Sequence, residues 1–89
     1  MYEAVEFVER KDAPGAPVEE RVLGEFRSEE DAVTEARAAR EAFLLLGSDD
    51  YAWWTVRQRG ARLARWIADS RSDKEFVLDL RSGQLIEVV

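Results

Sequence analysis

The residue types best suited to binding in this chain are gathered in one segment, residues 50–70. It holds all three tryptophans, and no acidic residue occurs between positions 51 and 68. The same segment carries four arginines: Arg57, Arg59, Arg62 and Arg65. Tryptophan and arginine are enriched in the energetically dominant parts of protein interfaces, and aromatic rings beside arginine also suit stacking on nucleic-acid bases. The segment therefore predicts a binding surface.

Catalytic chemistry has little support in the sequence. The chain has no histidine and no cysteine, which removes the commonest general base, the usual zinc ligands and the nucleophiles that depend on a histidine. Its five glycines match neither a dinucleotide-binding loop nor a phosphate-binding loop. We therefore expect a non-catalytic protein without catalytic, cofactor-binding or metal-binding residues. The enzymatic alternative is a carboxylate pair in a concave pocket.

Charge is distributed unevenly along the chain, whose net charge is −6. Residues 1–51 carry 6 basic and 14 acidic side chains, whereas residues 52–89 carry 7 basic and 5 acidic ones. Overall acidity disfavours non-specific nucleic-acid binding, because neutralisation of phosphates drives that affinity. The basic stretch 57–65 leaves a nucleic-acid or anionic-ligand module as the alternative function.

Length and composition predict one domain over residues 1–89. Hydrophobic residues make up 46% of the chain and charged residues 36%, a globular composition rather than a disordered one. No apolar run approaches the roughly 20 residues that span a bilayer, and the N-terminal residues alternate with acids, unlike a signal peptide. We expect a cytoplasmic protein without membrane contact.

The first third of the chain predicts a β-hairpin. Residues 2–9 interleave β-branched and aromatic residues with glutamate, as strands do. Two prolines and a glycine mark residues 10–17 as a loop. Residues 18–26 form the second strand, whose apolar residues fall on one face: Val18, Val22 and Phe26.

A single helix is predicted over residues 29–46. Ser28 can cap it by accepting the amide of Asp31, and Gly47 fits the left-handed position that ends a helix. The apolar stripe recurs at helical spacing and should face the core. Its members are Ala32, Ala36, Ala39, Phe43 and Leu46.

The rest of the chain predicts more antiparallel strands. Residues 53–58 and 62–68 flank Gly60, and residues 75–81 precede a three-residue turn with Gly83 in the left-handed conformation. That turn places Ile86 opposite Leu78, and Val88 opposite Phe76. The predicted fold is α+β: an antiparallel sheet of about five to six strands, order β-β-α-β-β-β-β, with one helix on one face.

Strand register decides which tryptophans are buried. Neighbouring residues of a strand point to opposite faces, so Trp53 and Trp54 cannot enter the same core. A tight turn at Arg59-Gly60 would place Trp54 in the core, with Arg65 over its ring. The core would also receive Val56, Leu63 and Ile67.

The same register places the predicted partner-binding residues on the face without the helix: Trp53, Arg57, Arg62 and Trp66. A register slip would redistribute them. We expect a homodimer or another protein partner to cover this face. The alternatives are cover by the N-terminal hairpin or loop 10–17, which would make the tryptophans ordinary core, and an anionic ligand.

Overall fold

The structure is a computed structural model that describes residues 1–88. It contains one helix and six strands in the predicted order: β1 (Tyr2–Glu9), β2 (Glu19–Phe26), α1 (Glu29–Leu45), β3 (Tyr51–Gln58), β4 (Ala64–Asp69), β5 (Glu75–Asp79) and β6 (Gln84–Glu87). The strands form one open antiparallel sheet, in the spatial order β2-β1-β3-β4-β5-β6. This confirms the predicted α+β fold. Within the described residues, the helix is not long and apolar enough to cross a membrane.

The helix begins and ends close to where the sequence predicts. Ser28 Oγ accepts the Asp31 amide at 3.1 Å. Three acids occupy the first turn, where they face the positive end of the helix dipole. At the other end, Gly47 adopts φ 64° and its amide donates to the Leu44 carbonyl. The helix ends one residue earlier than predicted.

The core lies between α1 and the face of the sheet that it covers. Two buried indoles fill it, those of Trp54 and Trp66. Phe43 packs edge-on against Trp54, with ring centroids 5.5 Å apart. Five alanines complete the core and let the helix approach the sheet closely: Ala4, Ala32, Ala36, Ala52 and Ala68. The last residue of the predicted apolar stripe of the helix is wrong, because Leu46 is exposed rather than buried.

A β-bulge corrects the predicted face of β2. Gly24 pairs with Ala4, but Val22 pairs with Val5, so Leu23 is an extra residue in the ladder. Such an insertion reverses the alternation of side chains along the strand. Leu23 therefore packs against the core. Val18 and Val22, which were predicted to share a face with Phe26, are exposed instead.

The predicted register of the β3–β4 hairpin is wrong. Arg57 pairs with Ala64, two residues later than predicted, and Arg65 is an extra residue between the pairs of Ala64 and Trp66, so Val56 pairs with Trp66 rather than Leu63. An odd shift of register exchanges the two faces of a strand. Trp66 consequently enters the core at 2% exposure. Leu63, which was predicted to be buried, is 60% exposed in the loop.

Two further consequences follow from this register. Ile67 was predicted in the core but pairs with Thr55, on the side of the sheet away from α1. Arg65 was predicted over Trp54; its guanidinium instead lies 5.8 Å from the centroid of the Tyr2 ring.

The β5–β6 hairpin differs from the prediction by one residue. Leu78 pairs with Leu85, and Phe76 pairs with Glu87, because the loop has four residues. Asp79 organises that loop: its side chain accepts the Arg81 amide at 3.0 Å and the Ser82 hydroxyl at 2.9 Å. Gly83 has φ 72°, as predicted.

Candidate functional site

One face of the sheet has no helix against it. Helix α1 packs on β1, β2 and β3 from one side, and alternation of side chains along the strands assigns the residues of the other side. We call this surface the helix-free face. Its apolar residues are Val5, Phe7, Val22, Trp53, Ile67, Phe76, Leu78 and Leu85.

The centre of the helix-free face is buried, whereas its edges are exposed to solvent. Val5 is fully buried and Thr55 is 7% exposed, although neither belongs to the cluster under the helix. Towards the edges, Val22 on β2 and Leu85 on β6 are 49% and 44% exposed. The face therefore resembles half of a core, with its margin in solvent.

Aromatic rings run across β1 and β3 on this face. Phe7 and Trp53 are cross-strand partners, and their rings stack at 5.2 Å with an angle of 8° between the planes. Tyr51, two residues earlier on β3, also lies beside Trp53, with ring centroids 5.6 Å apart. Rings held in this way present contact area without losing side-chain freedom on binding.

A groove of about 350 Å³ opens beside Trp53. Trp53 and Tyr51 form one wall, Phe76 on β5 contributes to the other, and Ile67 lies between them. Glu9 and Lys74 also line it. A concave, largely aromatic surface with a few polar groups at its margin is typical of a binding site.

Asp69 serves the structure of this groove. Its carboxylate accepts the Tyr51 hydroxyl at 3.0 Å and the amides of Arg71 and Ser72 at 3.0 and 2.9 Å. Burial, and then the hydrogen bond to Asp69, raise the pKa of Tyr51. The Arg71 guanidinium also lies 4.6 Å from the centroid of the Tyr51 ring. These contacts hold the β4–β5 loop and the Tyr51 ring in place.

Most of the clustered arginines are neutralised within the chain. Arg57 contacts Glu3 at 3.1 Å and Glu20 at 3.7 Å. Two more ion pairs join the hairpin to the acidic first half of the chain: Arg59 with Glu25 at 3.6 Å, and Arg65 with Glu29 at 3.0 Å. The hydrogen bond to Glu29 raises the pKa of Arg65. The uneven charge of the sequence thus corresponds to pairing between its two halves.

The four predicted partner-binding residues do not share one face. Trp53 and Arg57 lie on the helix-free face, as predicted. Trp66 lies in the core, where the shifted register places it, and Arg62 is exposed in the β3–β4 loop. Loop 10–17 is exposed throughout, and none of its residues lines the groove beside Trp53.

Sequence reasoning missed several residues of this face, above all Ile67 and Phe76, which line the groove. The alternation of apolar and charged residues in 75–79 indicated that one side of β5 is apolar. The side it faces depends on pairing with β4, which the alternation does not specify. The sequence indicates the face of Phe7 more clearly, because Phe7 and Val5 both occupy odd-numbered positions of β1 and therefore point to the same side of the sheet.

No group of three or more potential metal ligands occurs within the described part of the chain. Comparison of the chain with models of protein families, with curated proteins and with solved structures gives no match.

Proposed function

We propose that this protein is a non-catalytic module that acts by protein–protein contact through the helix-free face. The observation that carries the proposal is the aromatic groove beside Trp53 on the side of the sheet away from helix α1. Exposed apolar patches on small soluble domains mark contact sites. Trp53 is the expected anchor, since large aromatic side chains in preformed pockets dominate interface energies.

Charge supports a protein partner over a nucleic acid. Phosphate binding requires cations that are free to release counterions. Arg57, Arg59 and Arg65 each pair with a glutamate of the same chain, so a phosphate would have to compete with those carboxylates. The net charge of −6 adds long-range repulsion.

Site-specific photo-crosslinking tests the proposal in the cells that encode the protein. A photoreactive phenylalanine replaces Leu85 on the helix-free face or, as a control, Leu45 at the end of α1. Leu45 is 88% exposed and lies outside the face. We expect a defined protein adduct from position 85, lost on Trp53→Ala, and none from position 45. Equal adducts from both positions, or none from position 85, would contradict the proposal.

Nucleic-acid binding is tested separately by titrating single-stranded DNA into the protein at low salt. We expect no saturable change of tryptophan fluorescence. A saturable change that weakens steeply with salt, and that is lost on Arg62→Ala, would favour the alternative function.

A further inference from the structure

We infer that the partner is a second copy of this chain, packed helix-free face to helix-free face about a two-fold axis. This rests on the proposed function and names the occupant of the face. The resulting particle has four layers, helix–sheet–sheet–helix. Each sheet then has both faces covered, as in stable layered folds, and the two sheets form a sandwich across the copies.

Apolar chemistry makes the face self-complementary. In a two-fold interface the same patch serves both partners, so groups that need an opposite charge on the partner are disfavoured. Two cations of the helix-free face already have partners in their own chain. Arg57 pairs with Glu3 and Glu20, and Lys74 lies 3.9 Å from Glu87.

The size of the face agrees with a small dimer interface. Six strands about 4.8 Å apart, each rising about 3.3 Å per residue, give a surface of about 25 by 20 Å. With the relief of the side chains this corresponds to about 600 Å² per copy, or about 1,200 Å² in total, at the lower end for specific stable interfaces. The groove beside Trp53 gives each copy a concavity for apolar side chains of the other.

The edges of the sheet favour this arrangement over strand addition. β2 is the long edge strand and carries four charged residues, Glu19, Glu20, Arg21 and Glu25. Charged edge strands resist pairing with another sheet. β6, the other edge, has only four residues. Of the edges and the face of the sheet, the face therefore offers the apolar surface to a second copy.

The affinity of dimerisation should depend on ionic strength. Each copy carries a net charge of −6, so association brings two acidic bodies together. Raising salt from about 0.05 to 0.5 M shortens the Debye length from about 14 to 4 Å and screens that repulsion. We expect the dimer to tighten with salt, which is the opposite of binding to nucleic acid.

Analytical ultracentrifugation tests the inference on the full chain, up to millimolar concentration and at both salt levels. The wild type should sediment at twice the chain mass of 10.2 kDa. Leu85→Asp and Val22→Asp place a charge at opposite edges of the face and should give monomers. Leu45→Asp, a matched change outside the face, should remain dimeric. Circular dichroism confirms that each variant is folded, and because Leu85 and Val22 are half-exposed on edge strands, both changes should be tolerated.

A wild type that remains monomeric at millimolar concentration overturns the inference, as does a dimer that persists in both face variants. Photo-crosslinking separates this failure from failure of the proposed function. An adduct to a different protein from position 85, with a monomeric wild type, overturns the second copy as partner but keeps the helix-free face as a contact site. No adduct and no dimer overturn both.

Discussion

Trp66 Nε1 donates a hydrogen bond to Glu75 Oε1 at 3.1 Å, and the same carboxylate accepts two hydrogen bonds from Arg37 of the helix, at 2.6 and 2.9 Å. One glutamate therefore satisfies a buried indole and fastens the helix to β5. Trp54 is satisfied in a similar way, because its Nε1 donates to Glu6 at 2.9 Å and Glu6 also pairs with Arg21. Burial of two tryptophans in so small a core depends on these two carboxylates, since an unpaired buried donor is costly.

Glu75 makes stability depend on pH. The hydrogen bond from Arg37, assisted by that from Trp66, lowers the pKa of Glu75 against the opposing effect of burial. A carboxyl whose folded pKa lies below its unfolded value contributes stability at neutral pH, and this contribution is lost as the pH falls through the folded pKa. Glu75→Gln should therefore be less stable than the wild type at pH 7. The difference should shrink as the pH falls below the unfolded pKa of a glutamate and vanish once the folded carboxyl is protonated.

Urea unfolding curves at a series of pH values measure this difference. Glu41→Gln, an exposed change on the helix, is the control and should give a small difference throughout. A gap for Glu75→Gln that stays constant from neutral to acid pH would show that Glu75 acts by shape rather than charge.

The two adjacent tryptophans should respond differently to truncation. Trp54→Ala removes a fully buried indole that packs against Phe43, so it should lower the free energy of unfolding by about 3–5 kcal/mol. Trp53→Ala should cost less in the monomer and act mainly on association, because Trp53 is only partly buried, on the helix-free face. Unfolding curves recorded at protein concentrations too low for dimerisation, together with sedimentation of the same variants, check this. Equal losses of monomer stability would remove the distinction between the two faces.

Small residues at the helix–sheet contact should tolerate no enlargement. Ala36 is fully buried in the core, so Ala36→Leu should destabilise the fold by about 1–3 kcal/mol through overpacking. Ala38→Leu, on the exposed side of the same helix, introduces the same residue with nearly the same helix propensity and should be close to neutral. Thermal unfolding of the pair gives the answer. Two near-neutral variants would mean that the layer between α1 and the sheet is loosely packed.

The turn between β5 and β6 should discriminate residues by backbone conformation alone. Gly83 has φ 72°, and an added Cβ there meets no atom within 4 Å. Gly83→Val should thus cost about 1–2 kcal/mol through strain rather than collision. Gly83→Asn should cost less, because asparagine tolerates this region.

Ser82→Ala serves as the comparison within the same turn. It removes the hydroxyl that donates to Asp79 and should cost less than the valine change, because this hydrogen bond is exposed to solvent. Chemical denaturation ranks the three variants, and a valine variant as stable as the asparagine variant would refute the conformational explanation.

The sequence was most informative where local chemistry decides the structure. Ser28 and Gly47 bound the helix because a cap and a left-handed residue act within one turn, and opposite faces for Trp53 and Trp54 follow from strand geometry alone. Pairing between strands instead depends on residues that are distant in the sequence. The β3–β4 register that buries Trp66 is favoured by Glu75, a residue of the next strand whose carboxylate accepts the indole N–H.

The predicted site failed for the same reason. Arg62 and Trp66 were assigned to the helix-free face through the register of one hairpin, so an odd shift removed Trp66 from it and brought Ile67 there instead. The bulge at Leu23 had a corresponding effect on β2. Neither insertion has a local signature, because both are set by which arrangement buries the larger apolar surface and satisfies its polar groups.

The position of β1 has a kinetic consequence. This strand is the first to be synthesised, yet it lies inside the sheet, where Val5 pairs with Thr55, fifty residues later. The contacts that join β3 to β4, β4 to β5 and β5 to β6 are between sequence neighbours and need no long loop closure, so we expect these four strands to assemble early. We therefore expect docking of the β1–β2 hairpin and helix α1 onto the edge of β3 to limit folding. Until that step, the edge of β3 and the apolar side of β1 remain open to other chains, and aggregation competes with folding at high concentration.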